Sequence, residues 1–133
     1  MKKLSLKASC LCGCIQLRTQ GYHRNVQNCH CFQCLKTHGH YAAYTNVEER
    51  KVKFLKKRTL KWFRSSKRAK RGFCNKCGAS LFFKVIDSNL LHIAAGMFNG
   101  PTKLKTTMNI FVKGKSDYYK LDNRLMKFNR YSK

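Results

Sequence analysis

A mainly β chain with little helix is what this sequence predicts, and three observations carry that prediction. Short segments rich in alternating or β-branched residues recur along it, glycines punctuate them, and no long amphipathic helical period is present. The 133 residues suit one domain, taken as residues 1–133, with room for one modest core. With 43% hydrophobic and 12% aromatic residues, the chain belongs with folding rather than disordered sequences.

The segment "CIQLRTQGY" (Cys14–Tyr22) alternates and then meets Gly21, the pattern of a strand running into a turn. "HYAAYTNV" (His40–Val47) is short, aromatic and β-branched, and is expected to be a strand. "KVKFLKKRTLKWF" sets lysines against Val52, Phe54, Leu60 and Trp62, which predicts two strands with a turn near Lys57–Arg58. "SLFFKVI" (Ser80–Ile86), "LLHIAAG" (Leu90–Gly96) and "MNIFVKG" (Met108–Gly114) are three further strand segments. "NRLMKFNRY" follows neither period cleanly and is expected to make one helical turn. No Pro/Gly/Ser-rich linker and no repeat of solenoid length interrupts the series.

The N-terminal stretch has three lysines, Lys2, Lys3 and Lys7, but no apolar run of signal-peptide length, and no segment approaches a membrane span. The expectation is a cytoplasmic protein with no membrane partner. Its eight cysteines are then expected to be reduced, and their close spacing suits metal chelation better than disulfide stapling. The charge is extreme: 29 Lys and Arg against 5 Asp and Glu, a formal +24. The stretch Arg50–Arg71 holds twelve basic residues and no acid. Its apolar residues fall at strand-like spacing, so a solvated lysine face explains it, and a nucleic-acid surface is possible but not required.

Seven of the cysteines form two groups. In "CLC" the thiols of Cys10 and Cys12 lie on one face of an extended segment, and "CNKCG" places Cys74 and Cys77 at knuckle spacing. Two plus two completes a closed Cys₄ zinc site that staples the fold. "CHCFQC" leaves Cys29, Cys31 and Cys34 as a three-thiol site whose fourth position is open for chemistry, unless His38 or His40 closes it. His30, between two ligands, is expected to pack its ring or hydrogen-bond behind the metal. Cys14 is left over and is expected to pack as a small apolar residue.

The order CxCG, CHCxxC, RGFCxxCG resembles the glutathione-dependent formaldehyde-activating enzyme family, which includes the domain of centromere protein V. The matching pieces are "CLCG" (Cys10–Gly13), "NCHCFQCLKTHG" (Asn28–Gly39), "SSKRAKRGFCNKCGASLFF" (Ser65–Phe83) and "NIFVKGKSDYYKLDNRLMKF" (Asn109–Phe128). The resemblance implies an Mss4-like fold of short antiparallel strands with two zinc ions per chain. Cys10, Cys12, Cys74 and Cys77 would hold the structural ion, and Cys29, Cys31 and Cys34 the catalytic one. It also implies a carbon–sulfur lyase whose small-molecule substrate is an adduct of a thiol, glutathione or similar, with formaldehyde or a related aldehyde. Lys36, Ser65, Ser66 and Arg71 adjoin the metal motifs and are candidates to hold that substrate. Three places depart from the family pattern: the shortened "THGHYAAY", Asn109 before "IFV", and Tyr118–Tyr119 where a tryptophan is common. Two other functions compete with the enzyme. One is a zinc-stabilised basic module that binds nucleic acid, and the other is a redox enzyme that uses Cys14. The oligomeric state is not encoded in any of these features.

Overall fold

The computed structural model describes residues 1–131. In chain order its elements are β1 (Lys2–Ser9), β2 (Ile15–His23), β3 (Val26–Cys29), α1 (Phe32–His38), β4 (Ala42–Glu48), β5 (Val52–Lys57), β6 (Leu60–Arg64), β7 (Ala69–Cys74), β8 (Ser80–Val85), β9 (Leu90–Ala94), β10 (Thr106–Ile110) and β11 (Met126–Lys127). The fold is mainly β, as the sequence predicts. Strands β1–β2–β5 make one antiparallel sheet, and β11–β10–β3–β4–β9–β8–β7–β6 make the second. All pairs are antiparallel except those of β10, which runs parallel to both β3 and β11.

Alternation explains how the sheets meet. Along β2, Ile15, Leu17 and Thr19 are buried while Arg18, Gln20 and Tyr22 face water. Ile15 and Leu17, with Leu6 and Ala8 of β1, pack against Val47, Phe82, Leu91 and Ile93 of the larger sheet in one apolar cluster. Each of these side chains larger than alanine contributes about 1.5–3 kcal/mol through burial. A smaller cluster of Cys29, Cys34, Ala42 and Tyr44, flanked by Phe83, Ile110 and Phe111, lies under the three-thiol site.

The two strands expected on either side of a turn near Lys57–Arg58 are β5 and β6; β5 pairs with β2 and β6 with β7, so the turn carries the chain between sheets. Two segments differ from expectation. β10 stops at Ile110, because Phe111 adopts a left-handed backbone (φ 53°) and Val112–Gly114 forms a 3₁₀ turn. The segment expected to make a helical turn instead supplies β11, which pairs with β10 at Met108 and Asn109. No helix among the described residues is long and apolar enough to cross a membrane.

Candidate metal centres

At the first cluster two tight turns face each other. Cys10 follows β1, and Gly13 N–H donates to Cys10 O at 3.1 Å; Cys74 ends β7, and Gly78 N–H donates to Cys74 O at 2.8 Å. Gly13 and Gly78 hold φ of 78° and 76°, a conformation that a Cβ disfavours. The four sulfurs lie within 4.8 Å of one another, with Cys10 to Cys12 at 3.6 Å and Cys12 to Cys74 at 3.7 Å. Sulfurs about 2.3 Å from one tetrahedral zinc stand roughly 3.8 Å apart, so the cage has the ion's dimensions. Backbone N–H groups of Ile15 and Cys77 donate to the sulfurs of Cys10 and Cys74 at 3.3 and 3.4 Å, and against burial the Cys77 N–H helps hold the Cys74 thiol below the usual range. The set ties the end of β1 to the end of β7. Cys14 is half-buried beside Cys12 and is not one of the four sulfurs.

The second cluster is built by β3 running into α1. Cys29 is the last residue of β3, and Cys31 caps α1, its sulfur accepting the Cys34 N–H at 3.3 Å. The short helix ends at Gly39, whose N–H donates to Leu35 O. The sulfurs of Cys29, Cys31 and Cys34 lie within 4.8 Å of one another, so this donor set too can hold zinc. Among the described residues no fourth ligand atom joins them. His38 Nε2 lies 2.9 Å from the Tyr44 hydroxyl, and His40 Nδ1 lies 2.9 Å from the Tyr118 hydroxyl. His30 is 1% exposed, with Nδ1 at 2.8 Å from Tyr119 Oη and Nε2 at 2.8 Å from Asn109 Oδ1. Two of the departing positions, Asn109 and Tyr119, therefore meet on the histidine between two ligands.

The three sulfurs border a cavity of about 840 Å³. Phe83, Phe111 and Tyr131 give it apolar walls; Arg24, Lys67, Arg68 and Arg71 give it positive charge, with Asp87 as its carboxylate. Arg71 Nη2 lies 3.7 Å from Cys34 Sγ, and its guanidinium is 4.9 Å from the Phe83 ring. Hydrogen bonds from the Cys29 and Cys34 thiols, and the charge of Arg71, hold the Cys31 thiol well below the usual thiol range. Burial pushes the Tyr44 hydroxyl up and, with the charge of Arg71, brings the His38 imidazole down to about 4.

Arg71 and Ser66 line this cavity. Ser65 stands just outside its lining, its carbonyl accepting from Gln33 Nε2 at 3.1 Å and its hydroxyl donating to Ala69 O at 3.4 Å. Lys36 is not among the lining residues; its Nζ sits 5.6 Å from the Phe32 ring. Arg24, Phe83 and Phe111 carry no sequence signal, because only tertiary pairing brings them to the thiols, whereas Gln33 lies within the CHCFQC motif itself.

The sequence profile of the family described as "Glutathione-dependent formaldehyde-activating enzyme" matches residues 5–114, a span that contains both cysteine clusters. A crystal structure of a Rhodobacter sphaeroides protein has a similar fold, with a TM-score of 0.62 at 16% identity over 74% of this chain and 92% of that one. No curated protein matches the chain.

Proposed function

The chain belongs to the glutathione-dependent formaldehyde-activating enzyme family, and we propose that it acts there as a zinc-dependent carbon–sulfur lyase. The substrate is the adduct of glutathione or a similar thiol with formaldehyde or a related aldehyde. The observation that carries this is the three-sulfur cluster at the cavity, with no fourth ligand atom in its set. Zinc held by Cys29, Cys31 and Cys34 supplies Lewis acidity that favours the thiolate form of an incoming thiol at neutral pH.

The chain's own groups do the rest. Phe83, Phe111 and Tyr131 keep water from the reacting atoms, and Arg24, Lys67 and Arg68 offer charge to the carboxylates of a peptide-like thiol. Ser66 and Arg71 belong to the same wall, whereas Ser65 and the exposed Lys36 are not among its lining residues. In the synthetic direction the thiolate sulfur bonds to the aldehyde carbon, the carbonyl electron pair moves to oxygen, and that oxygen takes a proton. The lyase direction breaks the same carbon–sulfur bond and returns the proton. Cys10, Cys12, Cys74 and Cys77 hold a structural zinc in this reading, within one domain over residues 1–133 and in a cytoplasm that keeps thiols reduced.

The test is turnover of glutathione and formaldehyde by the zinc-loaded protein, beside a Cys31→Ser variant. The proposal expects turnover in the first and its loss in the second. No turnover by a protein that carries two zinc ions would count against it.

A further inference from the structure

Arg71 is only 7% exposed, yet it has no acidic partner. The three ion pairs among the described residues join Arg50 to Glu48, Lys84 to Glu49 and Arg124 to Asp122. The chain has just five acids to offer. Arg71 Nε and Nη2 each lie 3.4 Å from Gln33 Oε1, a neutral acceptor, and Nη1 is buried with no partner. A buried guanidinium without an anion is strongly unfavourable. The candidate anion in hydrogen-bond reach is sulfur: Nη2 lies 3.7 Å from Cys34 Sγ.

The backbone makes this placement deliberate. Arg71 sits inside β7, opposite Phe63 of β6 and Phe83 of β8, so it is held on both sides by strand pairing. Three thiolates and one Zn²⁺ carry a net charge of −1, and one guanidinium brings the centre to neutrality. The four-sulfur cage handles its charge differently. Both centres have backbone N–H groups donating to sulfur, but in the cage Cys12 is exposed to water. The three-thiol centre is more enclosed, with Cys29 and Cys34 both buried, and has less access to water for screening.

We propose that Arg71 is the counter-charge of the three-thiol centre, and that it sets how tightly Cys29, Cys31 and Cys34 hold a divalent zinc ion. Gln33 is the brace that aims it. Lys67 and Arg68 at the cavity wall stay free for the substrate. This inference rests on reading the centre as a zinc site.

The experiment is a zinc titration against a competing chelator on the full chain, comparing wild type with Arg71→Gln and Arg71→Lys. Groups that support metal ligands from behind are typically worth about 10–100-fold in metal affinity. Arg71→Gln is expected to weaken one of the two zinc ions by that factor and leave the other unchanged. Arg71→Lys, which keeps the charge, is expected to restore most of the loss. Equal affinities in wild type and Arg71→Gln, or equal losses in both variants, would overturn the proposal. A wild-type protein with only one zinc would instead overturn the reading of the centre itself. Should Arg71→Gln not fold, the sign of a stability change decides. With Cys29, Cys31 and Cys34 all changed to serine, Arg71→Leu is expected to raise Tm, because the cation has lost its anion. A fall in Tm in that background would mean that Arg71 serves packing alone.

Discussion

Gly114 shows how little slack surrounds the ligand loop. A Cβ there would stand 2.9 Å from His30 O and 3.3 Å from Cys31 Cα, both backbone atoms that cannot yield cheaply. Gly114→Ala is expected to destabilise by about 1–3 kcal/mol and to loosen the three-thiol zinc before the four-thiol one. A urea midpoint and a chelator titration read the two effects separately. His38 and His92 give a pH signature at the same scale. Burial brings both imidazoles down to about 4, helped at His38 by Arg71 and at His92 by Arg24. Unfolding returns them to 6.5, so between those values the unfolded chain binds protons that the folded one refuses. Stability present above pH 6.5 is therefore expected to fall as pH drops through this window. Zinc loss adds to it in acid, and a His38→Gln/His92→Gln pair flattens only the imidazole part. An unchanged slope in that variant would contradict the assignment.

At the scale of elements, the strands that alternate were legible and those that do not were hidden. β2, β5 and β6 each have one face on the core or partly buried and one toward water, and their period shows in the residues. β3 is buried at all four positions although it reads "VQNC", because polar pairing and the thiols replace an apolar face. β7 hides for a similar reason: its buried residues include Arg71 and Gly72. α1 is too short to show a helical period, and its start is set by the Cys31 cap rather than by an apolar stripe. The close cysteine pairs, in contrast, were legible because two-residue and three-residue spacings fix them locally. The walls of the cavity were not, since β7, β8 and the segment after β10 are brought together only by the sheet order. Gly72 marks the tightest of these junctions, with a Cβ due 2.9 Å from Phe82 and 3.1 Å from Trp62. Gly72→Ala is expected to cost about 1–3 kcal/mol and to lower Tm with both zinc ions still bound. Unaltered thermal unfolding would show that β6 and β8 are not pinned there.

For the molecule as a whole, charge and stapling pull in opposite directions. A formal +24 on 133 residues repels itself, and two of the three ion pairs are between exposed or largely exposed groups worth little. Added salt is expected to raise Tm by screening that repulsion, most in the range of about 10 to 150 mM. Lys56, Lys57, Arg58 and Lys61 are all exposed around the crossing between the sheets. Neutralising them is expected to leave zinc content and turnover unchanged. If the basic face serves nucleic acid, the same variant loses a DNA affinity that falls steeply with salt. With zinc bound as proposed, the two clusters would supply what the charge removes, the four-thiol cage by joining β1 to β7 across the chain.

The central claim is that one chain carries one closed and one open zinc centre, and metal content with the Cys31→Ser variant tests it most directly. The account predicts two zinc ions in the wild type. In the variant it predicts one, with the β-sheet signature and cooperative unfolding retained and turnover of glutathione with formaldehyde lost. A variant that still holds two zinc ions, or that turns over as fast as wild type, would contradict it.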